Sequence, residues 1–383
     1  MQNKLNKLLD ILEKNIDKGS INYVVPDIWN AWDYAGEEMR RMPNGELLVN
    51  PYRFYSSVIR QYILPKSNDK KDYSKSLSKI ENLKHKKGYL GGDWVRQSVM
   101  YSTMIRTSAA WDHDRSFSLD LSNFDGIKET GTFVKMLALL PFLKKMGVDT
   151  VYMLPISRFS LKDKKGELGS PYGVASFFDL DPSLKETMIG SKMTVEEEFQ
   201  AFVEACHRLK MRVIIDIIPR TNAVENDLIK LHPDWFYWIK ASEFDQYKVP
   251  FVEGIESTKA PVAEYMPKVY ASNDVLRHIG MFQHNPKVIN EKLWNQLLEE
   301  NPKDIMSEIE KRFDLKIAPA FSDHINDVQP PWTDVTFFRM YMDHPKDNVR
   351  YLKNKKTAPY ILFDTIKSNL YPEIGRASCR ERV

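Results

Sequence analysis

The sequence predicts an α/β fold that begins a parallel β/α barrel, preceded by a small subdomain and followed by a long insertion after the third strand. Between residues 99 and 218 the chain alternates strand, helix, strand, helix, strand, which is typical of a parallel sheet. The predicted strands are apolar on both faces, and such strands need cover on both sides. No glycine-rich phosphate loop follows the first strand, which favours a barrel over a doubly wound sheet.

The N-terminal part, residues 1–95, is predicted to be a helical and irregular subdomain. It begins with an amphipathic helix, whose apolar face carries Leu5, Leu8, Leu9, Leu12 and Ile16. From Ile21 to Ile63 the chain mixes aromatic residues with prolines, which indicates an irregular structure. Eight lysines between Lys66 and Lys87 predict a solvated helix or linker, with a basic patch for an acidic partner as the alternative.

Residues 96–221 are predicted to form the first βα units of the barrel. The predicted strands are Val99–Ile105, Thr150–Leu154 and Arg212–Ile218. A helix over Phe133–Met146 joins the first two and ends at Gly147, since glycine commonly follows a helix C-terminus. A second helix begins at a capping box made by Thr194 and Glu197. Its predicted core face carries Phe199, Phe202, Val203, Cys206 and Leu209.

After Arg220 the pattern loosens, with a helical stretch around Leu293 to Phe313 and few clear strands. We interpret residues 222–372 as an insertion and the lead-in to the next barrel helix, because an insertion after a strand lies on the active-site face of a barrel. The final residues, 373–383, lack apolar periodicity and look like the translated read-through of a sequencing adapter. We therefore expect the natural chain to continue beyond about Pro372.

Composition excludes several classes of protein. Hydrophobic residues make up 43% of the chain, which excludes intrinsic disorder, and the net charge of +3 argues against nucleic acid as a partner. There is no apolar run long enough for a membrane span and no signal-peptide pattern, so we predict a cytoplasmic protein without a membrane partner. Two cysteines make no disulfide framework and fit a reducing compartment. The oligomeric state stays open.

Asp216 is the most informative single residue, because it places a carboxylate within an apolar strand. A buried charge is costly unless it is paired or hydrogen-bonded. We predict that Asp216 faces a functional site. The alternative is a satisfied buried aspartate that holds a neighbouring arginine or a backbone group.

Three further residues are candidates from their position along the chain. Arg106 and Arg158 follow the first and second predicted strands, where a barrel has its catalytic face, although either could be an ordinary ion-pair partner. Tyr172 lies in the turn Ser170-Pro-Tyr-Gly173, where its ring could stack on the C–H face of a sugar or simply pack the turn.

Other motifs are interpreted as structural. The aromatic run His232–Trp238 is predicted to pack a core, with sugar stacking by one member as the alternative. The polar cluster Asp323, Asn326 and Asp327, followed by Asp343-His344, could suit calcium, but its spacing matches no EF-hand and we predict no metal. The zinc-protease, serine-hydrolase and Cys-x-x-Cys motifs do not occur, and the helical pair Cys206-His207 is interpreted as non-ligating.

Taken in order, several segments resemble glycoside hydrolase family 13, the α-amylase superfamily. These segments are Gly147–Ile156, Ser170–Val174 leading to Asp181-Pro182, and Val213–Asp216. Other segments are similar to the bacterial maltosyltransferase branch of that family. They are Pro219–Thr221, His232–Ile239, Phe321–Asp323, Asn326-Asp327, Trp332–Phe337 and Asp343–Pro345. The resemblance runs from about residue 21 to 372.

The resemblance implies a (β/α)8 TIM barrel that acts on α-1,4-glucans such as maltooligosaccharides, without a cofactor. Enzymes of this kind retain configuration, with an aspartate nucleophile and a glutamate acid/base ~5–5.5 Å apart and a covalent glycosyl-enzyme. A transferase passes that intermediate to a sugar hydroxyl and a hydrolase passes it to water. Maltosyl transfer is favoured, with an α-amylase-like hydrolase or a non-catalytic glucan-binding module as alternatives.

Residue by residue, Tyr172 matches the family's stacking tyrosine and Asp216 matches the aspartate of its first conserved region. That region usually ends in Asn-His, but Arg220-Thr221 stand here, so the usual histidine contact with the sugar is missing. We predict substrate binding by Tyr172, Asp216, Arg220, Arg106 and Arg158.

The nucleophile motif Gly-x-Arg-x-Asp does not occur in the chain. Arg312-Phe-Asp314 has Glu310 in place of the glycine and is rejected. We therefore expect the nucleophile and the acid/base after residue 372, and no turnover by the 383 residues alone.

Overall fold

The computed structural model describes residues 3–29, 39–64, 93–121, 127–164, 166–218, 220–322 and 324–338. The chain divides into two compact units, of which the first comprises residues 1–156 and 180–217, and the second residues 157–179 and 218–383. The predicted lysine-rich segment (66–87), Pro219, Asp323, the Asp343-His344 pair and the tail (373–383) lie outside the described residues.

The first unit begins with the predicted amphipathic helix, α1 (Lys4–Glu13), which is capped by the side chain of Asn3. Its leucines at 5, 8, 9 and 12 are at most 2% exposed, while Ile16 lies beyond it in a short 3₁₀ turn. Three strands and a second helix follow, which are β1 (Tyr23–Val25), β2 (Met39–Arg41), β3 (Leu47–Val49) and α2 (Pro51–Val58). The strands form an antiparallel sheet in the order β1-β3-β2.

The parallel sheet predicted from the alternating pattern is present. Its elements are β4 (Met100–Thr103), α3 (Ile105–Ser108), α4 (Phe133–Lys145), β5 (Thr150–Met153), α5 (Val195–Arg208) and β6 (Arg212–Ile215). The strands are parallel and lie side by side in chain order, β4-β5-β6, and α4 and α5 pack against each other. Within the described residues these three strands form an open sheet and no closed barrel.

The predicted helix ends are confirmed. Gly147 follows α4 with φ +91°, a left-handed conformation that favours glycine. At the start of α5 the Thr194 side chain accepts from the backbone N–H of Glu197, whose side chain accepts from the backbone N–H of Thr194 in return. Phe202 and Cys206 of α5 are fully buried. One hydrophobic core joins α1, α2, α4, α5 and the parallel sheet.

The expectation that the strands are covered on both faces is wrong for the two outer strands, β4 and β6. Three of the four residues of β4 and every residue of β6 are at least partly exposed, with Met100 at 40% and Ile215 at 37%, whereas β5 is buried except at Tyr152. The difference follows the position of each strand, because β5 has a strand on each side and β4 and β6 lie at the edges of the described sheet. Apolar composition alone did not reveal that difference.

The second unit has more strands than the sequence indicated. Its elements are β7 (Thr221–Ala223), α6 (Leu228–Leu231), β8 (Trp238–Lys240), α7 (Met266–Ala271), α8 (Asn273–Gly280), β9 (Phe282–Gln283), α9 (Pro286–Ile289), α10 (Glu291–Glu300), α11 (Ile305–Phe313), β10 (Leu315–Ile317) and β11 (Val335–Phe337). They form the antiparallel sheet β10-β8-β9 and the antiparallel pair β11-β7. These strands are three residues long or shorter, too short for an alternating pattern to stand out.

The predicted helical stretch around Leu293 to Phe313 is two helices. Asn301 ends α10 in the left-handed region with φ +43°, and Pro302 follows it. The second half of the aromatic run 232–238 packs the core of the unit as predicted, with Phe236, Tyr237 and Trp238 at most 1% exposed. Trp235 departs from that prediction, because it is 41% exposed and stacks on the ring of His232. Among the described residues, none of the helices combines the length and the apolar character needed to cross a membrane.

Candidate functional site

Asp216 follows directly after β6, at the carboxyl end of the parallel sheet. Its backbone N–H donates to the carbonyl oxygen of Met153 at 2.8 Å, which extends the ladder between β5 and β6 by one residue. Its side chain is half-buried, so the prediction of a fully buried charge is corrected by the edge position of the strand. A carboxylate here keeps access to solvent and needs no buried cation.

Tyr152 of β5 is the hydrogen-bonding neighbour of Asp216, and the sequence analysis missed it. The register pairs Tyr152 with Ile214, and side chains two residues apart in a strand share a face, so Tyr152, Ile214 and Asp216 lie on one face of the sheet. Burial, and after it the charge and the hydrogen bond of Asp216, raise the pKa of Tyr152 above its usual value. The available signal was a hydroxyl-bearing aromatic in an otherwise aliphatic strand.

Arg106 lies in α3, immediately beyond β4, as predicted. It is only 5% exposed. Burial lowers the pKa of its guanidinium, and the charge of Asp181 opposes that shift. Asp181 is equally buried, and burial raises the pKa of its carboxyl group. Arg106 is therefore a buried cation whose charge interacts with that of Asp181, and substrate binding by this residue stays a prediction.

A network of buried polar side chains surrounds the N-termini of α4 and α5. Thr132 donates its hydroxyl to the carboxylate of Glu186 at 2.8 Å, and the backbone N–H of Glu186 donates to Glu198 at 2.8 Å. Burial raises the pKa of Glu198 to about 8, and burial lowers the pKa of the Lys135 ammonium to about 8. These residues are scattered along the chain, and no local pattern indicated that they would meet.

Tyr172 lies in the second unit, in the turn that the sequence predicted. The N–H of Gly173 donates to the carbonyl of Ser170 at 3.2 Å, and the N–H of Tyr172 faces the Ser170 hydroxyl oxygen at 3.3 Å. Gly169 enters the turn with φ +67°. The side chain of Tyr172 is half-buried, so part of it is accessible to a ligand.

Arg158 and Arg220 make contacts within the second unit. The guanidinium of Arg158 lies 2.5 Å from the carboxylate of Asp227 and 3.6 Å from that of Asp179. The guanidinium of Arg220 lies 4.3 Å from the centre of the Phe337 ring. These are the contacts of ion-pair and cation–π partners. A direct contact of either arginine with substrate stays a prediction.

The five predicted site residues therefore fall into two groups. Arg106 and Asp216 belong to the first unit, and Arg158, Tyr172 and Arg220 belong to the second. Within the second unit, Arg158 and Tyr172 lie on one hairpin, because the carbonyl of Arg158 accepts from the N–H groups of Ala175 and Ser176. A sugar pocket shared by Tyr172 and Asp216 stays a prediction.

One acidic group in the described residues has carboxylate oxygens close enough to hold a metal ion. Oxygens of Asp112, Asp114 and Glu129 lie within 4.8 Å of one another. Each of these carboxylates also accepts from a backbone N–H group, Asp112 from Arg115, Asp114 from Ser116 and Glu129 from His113. Within the predicted polar cluster, Asn326 holds backbone in place, because its amide donates to two backbone carbonyls and accepts from the N–H of residue 252.

Comparisons with known proteins point to one group of enzymes. The α-1,4-glucan:maltose-1-phosphate maltosyltransferase of Chlorobaculum tepidum is 29% identical over 113 residues, covering 28% of this chain and 17% of that protein. The enzyme of the same name from Mycolicibacterium smegmatis is 27% identical over 165 residues, covering 39% and 21%. The chain thus spans about a fifth of the length of the curated relatives it matches. No family model matches the chain.

Solved structures give partial matches. An α-amylase from Lactobacillus plantarum is 26% identical with a TM-score of 0.28, over 38% of this chain and 28% of its own. A maltogenic α-amylase from Thermotoga neapolitana is 28% identical with a TM-score of 0.27, over 37% and 28%. The maltosyltransferase relatives confirm, at low identity and over part of the chain, the resemblance that the sequence motifs indicate.

Proposed function

We propose that the protein acts on α-1,4-glucans as a retaining transferase of the α-amylase superfamily, with maltosyl transfer as its reaction. The observation that carries the proposal is the position of Asp216, at the carboxyl end of the third parallel strand and hydrogen-bonded to Tyr152 of the second. Active sites of β/α barrels lie at the carboxyl ends of their strands. The resemblance implies an aspartate that supports the catalytic centre at this position.

The names of the relatives supply the proposed substrates. Those enzymes are named for an α-1,4-glucan and for maltose 1-phosphate. We assign the glucan as acceptor and maltose 1-phosphate as donor. In a retaining transfer, an enzyme carboxylate displaces phosphate from the maltosyl carbon, and a glucan hydroxyl then displaces the carboxylate.

The described residues are assigned to binding and orientation. The Asp216 carboxylate accepts hydrogen bonds from sugar hydroxyls, and the Tyr152 hydroxyl holds that carboxylate in place. Tyr172 offers its ring to the apolar face of a sugar, with Arg106, Arg158 and Arg220 as further binding residues. The prediction that the nucleophile and the acid/base follow residue 372 is retained as part of the proposal.

Binding tests the proposed roles without requiring turnover. We expect Tyr172→Ala and Asp216→Asn each to weaken the binding of maltoheptaose by about tenfold or more, measured by isothermal titration calorimetry. Phe178→Ala is the matched control, because Phe178 lies in the same segment and is 80% exposed. Unchanged binding by both variants, or an equal loss in the control, contradicts the assignment.

Product analysis tests the reaction. With maltose 1-phosphate and maltohexaose, we expect the 383-residue chain to show no transfer, because it holds no Gly-x-Arg-x-Asp segment. The chain joined to the sequence that its gene encodes after residue 372 is expected to extend the glucan by maltosyl units, detected by mass spectrometry. Release of free sugar without extension would favour an α-amylase-like hydrolase.

A further inference from the structure

The second unit contains a pocket of about 330 Å³ that the roles assigned above do not use. Its apolar wall includes Phe244, Met306 and Ile317. Ligand pockets are typically concave, roughly 300–1,000 Å³ in volume, and mostly apolar with a few polar groups that fix orientation. The volume of this pocket lies at the lower end of that range. Like those pockets, it has an apolar wall and a polar rim.

The rim carries charges of both signs. Lys162, Lys164 and Lys316 line the pocket together with the carboxylates of Asp163 and Glu310. The remaining positive charge is balanced just outside the lining, because Lys162 lies 3.8 Å from Asp304. The three ammonium groups of the lining are thus matched by three carboxylates, two in the lining and that of Asp304 beside it, which leaves little excess positive charge to select a phosphate or another anion.

The polar groups of the rim suit a ligand that both donates and accepts hydrogen bonds. An ammonium group donates only and an ionised carboxylate accepts only, whereas a hydroxyl does both. The Lys316 and Glu310 pair is 3.7 Å apart, longer than a direct hydrogen bond, so a hydroxyl can bond to both. A neutral polyhydroxylated molecule satisfies this rim with little change in the charges around it.

The apolar wall suits the C–H face of a sugar ring. The ring of Phe244 is half-buried, and the Lys316 ammonium lies 4.4 Å from its centre, which restrains both side chains. Met306 is 8% exposed and adds a flexible thioether beside the pocket. The wall and the rim together offer apolar contact on one side and hydrogen bonds around the edge.

We propose that this pocket binds a neutral oligosaccharide, namely the end of an α-glucan chain. The sugar class follows from the uncharged balance of the rim and from the apolar wall. The choice of an α-glucan rests on the proposed function. When the end of a glucan is bound in this pocket, the second unit holds that part of the molecule. The effective concentration of the rest of the glucan near the protein is then raised.

Methyl NMR of the protein labelled with carbon-13 in its methionine methyl groups tests the proposal. We expect the Met306 signal, assigned by Met306→Leu, to shift in a saturable way on titration with maltotriose. The signal of Met136, buried in α4 of the first unit, is the internal reference and stays in place. Inorganic phosphate at equal concentration is expected to leave Met306 unshifted.

A variant in which a larger side chain fills the pocket, compared with a matched variant outside it, provides a second test. Thr333 is exposed and lines the pocket, so Thr333→Trp adds bulk there and is expected to abolish the Met306 shift. Lys303→Trp places the same indole side chain at an exposed site outside the lining and is expected to preserve the shift. No response to maltotriose, a response to phosphate alone, or an equal loss in both variants overturns the proposal.

The outcome is distinguishable from failure of the proposed function. If Tyr172→Ala and Asp216→Asn bind maltoheptaose normally while Met306 still responds to maltotriose, the sugar pocket stands and the roles assigned to Tyr172 and Asp216 fail. If those variants lose binding while Met306 never responds, the roles of Tyr172 and Asp216 stand and the pocket proposal fails.

Discussion

The backbone N–H of Glu186 donates to the carboxylate of Glu198 at 2.8 Å, in an interior where both side chains are at most 1% exposed. Burial, which disfavours the charged form, raises the pKa of Glu198 to about 8 despite that hydrogen bond. Glu198 follows the capping box at the start of α5, so the same short segment begins a helix and buries a carboxyl group.

Glu198 should make the stability of the protein depend on pH. The folded protein keeps this proton where the unfolded chain, with a pKa near 4.5, has released it, so the contribution of Glu198 falls as pH rises from about 4.5 to about 8. Glu198→Gln keeps an acceptor for the Glu186 N–H and removes the titration. We expect the variant to be more stable than the wild type at pH 8, by up to a few kcal/mol, and nearly equal at pH 4.5.

Urea denaturation of both proteins at several pH values between 4.5 and 8 measures this difference. Glu196→Gln is the matched control, because Glu196 lies in the same helical turn and is exposed. If the difference in the free energy of unfolding between the wild type and Glu198→Gln does not change with pH, the interpretation that Glu198 is protonated in the folded protein is wrong.

Glu197 is expected to give stability the opposite dependence on pH from Glu198. Lys4 and Lys7 of α1 lie 2.6 and 2.8 Å from its carboxylate, and their hydrogen bonds lower its pKa to about 2. The stabilisation is present above the unfolded pKa of about 4.5 and is lost as pH falls towards 2. Glu197→Gln retains the capping box, since glutamine also serves there. We expect a loss of about 1 kcal/mol or less at pH 7, because the pair is partly exposed, and a smaller loss at pH 3.

Thermal melts at the two pH values, each at low and high salt, test this ion pair. High salt should reduce the difference in melting temperature between the wild type and Glu197→Gln at pH 7, because salt screens the ion pair. A difference that is equal at both pH values assigns the effect to packing or capping instead.

Gly131 lies so close to the backbone of Ile105 that a side chain at position 131 would not fit. A Cβ atom at this position would lie 1.8 Å from the carbonyl oxygen of Ile105, which is a backbone atom at the start of α3. We expect Gly131→Ala to destabilise the protein by at least about 2–3 kcal/mol, since a packed backbone accommodates extra volume poorly. Gly280→Ala is the control, because a Cβ at Gly280 meets nothing within 4 Å. Equal melting temperatures for the two variants would contradict the close approach of Gly131 to Ile105.

Tyr152 is expected to affect sugar binding indirectly, by holding the Asp216 carboxylate in position. Tyr152→Phe removes the hydroxyl that hydrogen-bonds to the Asp216 carboxylate and leaves the ring. We expect maltoheptaose to bind several-fold more weakly, corresponding to about 1 kcal/mol for one hydrogen bond, with little change in melting temperature. In an Asp216→Ala background, which leaves no side-chain acceptor for the Tyr152 hydroxyl, the same substitution should have a much smaller effect, because coupled residues are not additive. Full additivity of the two substitutions would contradict a positioning role for Tyr152.

Much of the first unit was predictable because its signals are local. The leucine spacing of α1, the capping box at Thr194 and Glu197 and the stop at Gly147 are each set by a few neighbouring residues, and each is present in the structure. The turn around Tyr172 was predictable for the same reason. Local backbone preferences and helix caps act whether or not the rest of the chain has folded.

The amino-acid sequence thus determined the order of the helices and parallel strands, the caps of α4 and α5, and which motifs resemble those of maltosyltransferases. The first and third strands were predicted too long, because β4 ends at Thr103 and β6 ends at Ile215. Only the tertiary structure decided that β6 lies at an edge, that Tyr152 contacts Asp216, and that Glu198 is buried. The short strands β7 and β11 likewise pair across more than a hundred residues, as Thr221 with Phe337. Such features depend on register and burial, which arise when distant segments pack together and which no local pattern encodes.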